Sequence, residues 1–308
     1  MPLNPDAAAY LANTTSYVAK VLDGGYSIDA VRRGQGDAAG AAFGPRDAVA
    51  TVADSRVPGG PPIRVYRPDA TAPLPIVLHF HGGGYVFGDL DTQDSVCRAI
   101  AARTPAVVVA VDYRLAPEHP YPAAIDDSWH ALEYAYRNAE TLGGDAARVA
   151  VGGDSAGGGI AAVMAIRARD AGLPLRLQFL VYPVADHDPS RPSMREYSDG
   201  YGLTTRAMDW YLQQYLTREA DWRDPEVFPL NHPASLDGVA PAHVVTVEYD
   251  PIRDSGEAYA ARLRADGVRV VQIREPGLIH GAYRIPGTIP AAARILDDII
   301  HSLQQAFA

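Results

Sequence analysis

Residues 148–159 read RVAVGGDSAGGG, and this stretch decides the fold. A β-branched run leads into Gly153-Asp154-Ser155-Ala156-Gly157, a G-x-S-x-G pentapeptide, and a helix-compatible segment follows. A strand that turns sharply into a helix presents a serine Oγ at the tip of the turn, which is the context a nucleophile needs. Gly153 and Gly157 leave room where side chains would clash with the turn. The helix N-terminus then aims backbone N–H groups at developing negative charge. Glycine-rich strand–helix turns also bind phosphates. Here no lysine follows, the glycines are out of phase with G-x-G-x-x-G, and Asp154 would repel an anion. The turn reads as a nucleophile.

Working outward, PIVLHF (75–80), AVVVAV (106–111), RVAVG (148–152), LRLQFLVY (175–182), AHVVTVEY (242–249) and VRVVQI (268–273) are short β-branched runs. Most are nearly continuous in apolar residues, as strands covered on both faces are. Helical patterns fill the gaps at 92–103, 124–139, 156–170, 254–266 and 288–307, and Gly172 and Gly267 stand where helix C-terminal glycines belong. The alternation predicts an α/β fold: a mostly parallel central sheet with helices on both faces. Residues 1–45 are alanine-rich and predict one or two short helices. From 186 to 240 no strand is expected, only a Pro/Asp/Ser loop and the aromatic helix LTTRAMDWYLQQYL (203–216). The division that follows is a helical cap piece at 1–45, core at 46–185, an inserted cap piece at 186–240, and core again at 241–308. A pair of unrelated surface decorations is the plainer reading of the two cap pieces.

HFHGGGYVFGD (79–89) also follows a strand directly. The backbone N–H groups of Gly82, Gly83 and Gly84, with that of Ala156, can converge on a substrate oxygen and form an oxyanion hole. His79 and His81 lack a third ligand and make a poor metal site; His81 is expected to anchor the loop. A serine needs a base, itself oriented by an acid. After a G-x-S-x-G turn the expected chain order is Ser, Asp or Glu, then His, on loops after later strands. Beyond the strand at 242–249 only His280 and His301 remain. His301 falls in the C-terminal helical pattern, whereas His280 lies on a glycine-flanked loop. Asp250 closes the strand ahead of Pro251. Its rival, Asp254, fits a helix cap with Glu257 as the returning carboxylate.

The 308 residues carry 27 basic and 37 acidic side chains, a formal charge of −10. That balance argues against nucleic acid as a partner, which needs a basic face. The single cysteine, Cys97, cannot form an intramolecular disulfide and reads as a small buried hydrophobe. The N-terminus lacks the basic-then-apolar order of a signal peptide, and no apolar run approaches the roughly 18 residues of a membrane span. A cytoplasmic protein is the expectation.

HGGG (81–84), DYRLAPEHPYPAAIDD (112–127), GDSAGG (153–158), DPIRD (250–254) and HG (280–281) stand in one order. Together they resemble the hormone-sensitive-lipase-like carboxylesterases, the bacterial family IV esterases, over about residue 60 to the C-terminus. The resemblance implies an α/β-hydrolase core with a two-piece helical cap, Ser155 as nucleophile, Asp250 as acid and His280 as base. It implies Gly83, Gly84 and Ala156 as oxyanion donors, with Gly82 supporting. It further implies small-molecule esters of short or medium acyl length as substrates, no metal or organic cofactor, and an exposed sheet edge at which such proteins form homodimers. An amidase or formamidase on the same triad stays open, as does a non-catalytic small-molecule receptor on this scaffold; the latter has lost the histidine that is present here. Tyr197, Tyr201, Met208, Trp210 and Tyr211 could line an acyl or alcohol pocket, or simply form the core of the cap. Tyr113, Arg114 and Glu118 are expected to brace the loop beneath the glycines. Ile252 and Ala282-Tyr283 depart from the usual leucine and phenylalanine of these esterases, which puts substrate preference in doubt and not the chemistry.

Overall fold

The computed structural model describes residues 1–308 except 34, 71 and 72. Eight strands form one sheet: β1 (Thr51–Arg56), β2 (Pro62–Arg67), β3 (Leu74–Phe80), β4 (Val107–Val111), β5 (Gly144–Asp154), β6 (Leu175–Val181), β7 (Ala242–Tyr249) and β8 (Val270–Ile279). Their order is β1-β2-β4-β3-β5-β6-β7-β8. Strands β3 to β8 run parallel, while β2 is antiparallel to both its neighbours and so runs against all the others. Every residue of β3 and of β4 is buried, which explains their unbroken apolar runs.

The first two strands are absent from the sequence-based expectation. TVADSR is exposed at five of its six positions, as an edge strand can be, and it offers no apolar alternation to recognise. The patch VPGGPP is the hairpin turn between β1 and β2, closed by Val57 N–H donating to the Pro61 carbonyl at 2.9 Å, with Gly59 at φ 70°. Most other expected strands and helices lie close to their observed limits, but β5 starts at Gly144 rather than 148 and the last helix at Ala293 rather than 288. β8 runs further than expected, to Ile279, and delivers the chain directly to His280.

Helices α5 (Asp94–Arg103), α6 (Ala123–Arg137), α8 (Ala156–Asp170), α11 (Arg253–Ala265) and α12 (Ala293–Phe307) cover the sheet, and the short α7 (Ala139–Leu142) precedes β5. Gly172 and Gly267 take φ values of 68° and 85° just after α8 and α11, the left-handed conformation that helix ends favour in glycine. The N-terminal segment holds four helices rather than one or two: α1 (Pro5–Asn13), α2 (Tyr17–Leu22), α3 (Ile28–Arg32) and α4 (Gln35–Phe43). Side chains of Asn4, Ser16 and Ser27 cap the first three, a device that lets five- and six-residue helices persist. Between 186 and 240 there is no strand among the described residues, only α9 (Pro192–Glu196), α10 (Thr205–Tyr215) and two 3₁₀ turns.

These two segments meet over the carboxyl ends of the strands. Arg206 of α10 pairs with Asp23 at 3.0 Å, and Tyr17 of α2 packs against Phe87 with ring centroids 5.6 Å apart. Among the described residues no helix is long and apolar enough to cross a membrane.

Candidate active site

Ser155 is the single residue between β5 and α8, at φ 57° and ψ −120°. A non-glycine residue held there stores about 1–3 kcal/mol of backbone strain, which the surrounding packing must offset. The packing is tight. A Cβ on Gly153 would come within 2.1 Å of the Phe80 carbonyl oxygen, and one on Gly157 within 2.0 Å of the same atom. Both glycines are therefore required by the approach of β3 to the turn. Ser155 N–H donates to the Val181 carbonyl at 2.9 Å, which holds the turn against β6.

His280 sits immediately beyond β8. Its Nε2 lies 2.9 Å from Ser155 Oγ, and its Nδ1 lies 2.8 Å from Asp250 Oδ2. With the proton on Nδ1, the ring donates to the carboxylate and accepts the serine hydroxyl. Asp250, fully buried after β7, also accepts the Ile252 N–H on Oδ1 at 3.0 Å, so both its oxygens are occupied. The Tyr182 ring packs on the imidazole with centroids 4.4 Å apart. The three groups thus come from the carboxyl ends of the parallel strands β5, β7 and β8, where such sheets bind ligands.

Among the described residues Asp254 makes no hydrogen bond to this histidine. It lies inside α11, where Oδ2 accepts the Ser193 N–H at 2.8 Å and Oδ1 takes Arg253 Nε at 3.0 Å. The expected capping box with Glu257 is also absent: α11 begins one residue earlier with no side-chain cap, and Glu257 is drawn to Thr246 and Arg274. Exposed His301 faces Gln305 on α12.

The glycine loop is held from beneath. Gly82 N–H donates to Asp154 Oδ1 at 3.0 Å, and Gln93 Nε2 donates to the same oxygen at 3.2 Å. Gly82 is therefore not free to face a substrate oxygen, contrary to its place among the expected donors; its N–H ties the loop to the residue before the serine. Gly83 and Gly84 line the cavity beside Ser155 and His280, at φ 129° and 62°. Ala156 is the first residue of α8, where the N–H has no intrahelical acceptor. Tyr113 O–H donates to the His81 carbonyl at 2.6 Å, and its ring stacks on His81 at 4.2 Å. His81 Nδ1 reaches the Gly82 carbonyl at 3.0 Å, and burial pushes its pKa down, so the neutral ring is the anchor. Arg114 instead braces α6 through Asp127. Glu118 pairs with Arg32, whose guanidinium also donates to the Val86 and Ala116 carbonyls.

The cavity above the serine has a volume of about 70 Å³. Met208 and Tyr211 line it. Tyr197 and Tyr201 do not: they cluster with Tyr249, at centroid separations of 5.4 and 5.0 Å, and Tyr197 also packs on Arg253. Trp210 packs on Phe87 and Tyr211. Tyr17, Tyr85, Val184, Leu203, Leu212 and Arg284 complete the lining without having been expected. Tyr85 directly follows the glycine triplet and Arg284 stands four residues after His280, so proximity to the motifs was the available signal for both. Tyr17 carries none. Among the described residues no cluster of histidine, cysteine and carboxylate side chains could hold a metal ion. Cys97 is buried in α5, and burial raises its thiol pKa, so it does not act as a thiolate.

The model of the α/β-hydrolase fold family matches residues 77–284. Carboxylesterase NlhH of Mycobacterium tuberculosis is 46% identical over 250 residues, 80% of this chain and 78% of that protein. Ethyl acetate hydrolase of Pseudomonas putida is 37% identical over 318 residues, 99% of each chain. Among solved structures, an esterase of Pyrobaculum calidifontis superimposes with a TM-score of 0.90 at 38% identity, covering 100% of both chains.

Proposed function

The chain belongs to the α/β-hydrolase fold family, and from that premise we propose that it is a serine carboxylesterase working through Ser155, His280 and Asp250. The observation that carries the proposal is the unbroken relay of 2.9 Å from Ser155 Oγ to His280 Nε2 and 2.8 Å from His280 Nδ1 to Asp250 Oδ2. In this reading Ser155 Oγ attacks the ester carbonyl carbon while His280 Nε2 takes the hydroxyl proton. The N–H groups of Gly83, Gly84 and Ala156 receive the oxyanion. The imidazolium, steadied by the Asp250 carboxylate, returns the proton to the departing alkoxide oxygen, and the acyl group stays on Ser155. Water then attacks the acyl-enzyme with His280 again as base, releasing the acid and restoring the hydroxyl.

Ester rather than amide hydrolysis is favoured because the relatives on either measure are named as esterases and as an ethyl acetate hydrolase. An inert receptor is disfavoured by a complete and hydrogen-bonded set of reacting groups. The cavity of about 70 Å³ is far below the several hundred that accommodate larger ligands, which supports short acyl chains. We further read residues 1–45 and 186–240 as the two parts of a cap over this cavity, since Tyr17 from the first and Leu203, Met208, Tyr211 and Leu212 from the second form its wall.

The test is hydrolysis of a chromogenic butyrate ester by the wild type and Ser155→Ala. The variant should retain its circular dichroism spectrum and lose turnover; persistent turnover would remove Ser155 from the mechanism.

A further inference from the structure

Arg284 brings a positive charge into an otherwise largely apolar and aromatic cavity. It ends the 3₁₀ turn 282–284 after His280, its side chain is 22% exposed, and it lines the same cavity as Ser155. Its one ion contact among the described residues is Nε to Asp154 Oδ2 at 3.3 Å, and neither of these buried atoms completes a hydrogen bond. Other arginines of similar exposure are fully engaged: Arg167 holds Glu226 with two nitrogens at 2.6 and 2.7 Å, and Arg32 holds Glu118 at 2.9 and 3.1 Å. Burial alone would lower the Arg284 pKa. The Asp154 carboxylate opposes it and the net shift is upward, so the guanidinium stays charged.

A guanidinium presents its donors as a planar fork that matches a carboxylate with two parallel hydrogen bonds. Asp154 cannot satisfy that fork, because its Oδ1 is already taken by Gly82 and Gln93 and its Oδ2 meets only Nε. The Nη ends have no acceptor among the described residues and belong to a side chain that faces the cavity.

We propose that Arg284 is an anion subsite beside the nucleophile, and that the favoured substrates are short esters carrying a carboxylate a few atoms from the scissile carbonyl. The proposal rests on the esterase reading above and narrows its substrate class. The carboxylate would meet the Nη fork while the ester carbonyl meets Gly83 and Gly84. A site built around an unpaired donor discriminates against analogues that cannot fill it. A hydrogen bond to a charged group supports a preference of roughly 10- to 100-fold. The chain's net charge of −10 does not gather anions from a distance, so the preference is local and falls mainly on KM.

The experiment compares isosteric pairs: monoethyl succinate with ethyl succinamate, and 3-acetoxypropionate with 3-acetoxypropanamide. Wild-type kcat/KM should favour the carboxylate in at least one pair by roughly 10- to 100-fold, through KM. That ratio should collapse in Arg284→Met and survive in part in Arg284→Lys. A wild type that favours the amide in both pairs, or a ratio unmoved in Arg284→Met, overturns the subsite. If Arg284→Met does not fold, competitive inhibition of neutral-ester hydrolysis by succinate, present in the wild type and weakened in Arg284→Lys, decides. If no ester is hydrolysed at all, the esterase reading fails, and calorimetric binding of succinate to the wild type and to Arg284→Lys tests the subsite on its own.

Discussion

Asp154 accepts the N–H of Gly82 at 3.0 Å, so the residue immediately before Ser155 holds the loop that faces it. In the proposed mechanism this carboxylate ties Ser155 to the loop that carries its oxyanion donors. A Cβ at Gly82 would lie 2.5 Å from Asp154 Oδ2, and the loop has no slack to absorb it.

Displacing this loop should cost turnover more than stability. At Gly83 a Cβ would approach the Phe87 carbonyl oxygen to 2.1 Å at φ 129°, so Gly83→Ala forces the loop to move. Loss of one oxyanion donor costs about 2.7–4 kcal/mol, or 10²- to 10³-fold in kcat. Steady-state kinetics beside a thermal melt checks this; a full kcat would mean that Gly83 N–H does not meet the oxyanion.

Asp250→Asn should reduce kcat by about 10⁴-fold, because an amide no longer secures the Nδ1–H tautomer of His280. Asp254→Asn should change kcat less than ten-fold, since its partners are Ser193 and Arg253. A reversed order of the two losses would reassign the acid.

Tyr211 lies on Gly84, where a Cβ would meet its ring at 2.3 Å, and it walls the cavity. Tyr211→Ala should move the optimum of a p-nitrophenyl ester series toward longer acyl chains. An unchanged optimum would show that Tyr211 lies outside the acyl path.

His79, buried on β3 with neither ring nitrogen hydrogen-bonded among the described residues, has its pKa pushed down by burial to about 4, with Asp154 partly opposing. Its folded value lies below the unfolded value near 6.5, so the unfolded chain binds the proton more readily. The associated stability is complete above about pH 6.5 and is lost as pH falls toward 4, an amount on the order of 3 kcal/mol. Urea unfolding at pH 7 and pH 4.5 should show this drop, reduced in His79→Leu; equal pH dependence in both proteins would contradict it.

What the sequence makes legible follows physical context. Strands β3 to β7 can be read because burial on both faces forces continuous apolar runs. β1 escapes because five of its six residues face water. Ser155, Asp250 and His280 can be found because a turn, a proline and a glycine-flanked loop mark them locally. The pocket wall is less legible. Tyr197 and Tyr201 lie in the expected inserted cap piece, yet Tyr249 draws them aside. Tyr17 reaches the cavity only through the packing of distant helices, and no local pattern announces that. Gly82 looks like its two neighbours in a triplet, and only the position of Asp154 separates its role from theirs.

The proposed base, His280, arrives just after β8, at the sheet's far edge from β1, with two 3₁₀ turns and the closing helix after it. Because translation proceeds from the N-terminus, a nascent chain can form most of the sheet while its serine still lacks an imidazole. Activity in the proposed mechanism therefore waits for the segment that carries His280, and nascent chains that stop short of it stay inert toward the esters around them.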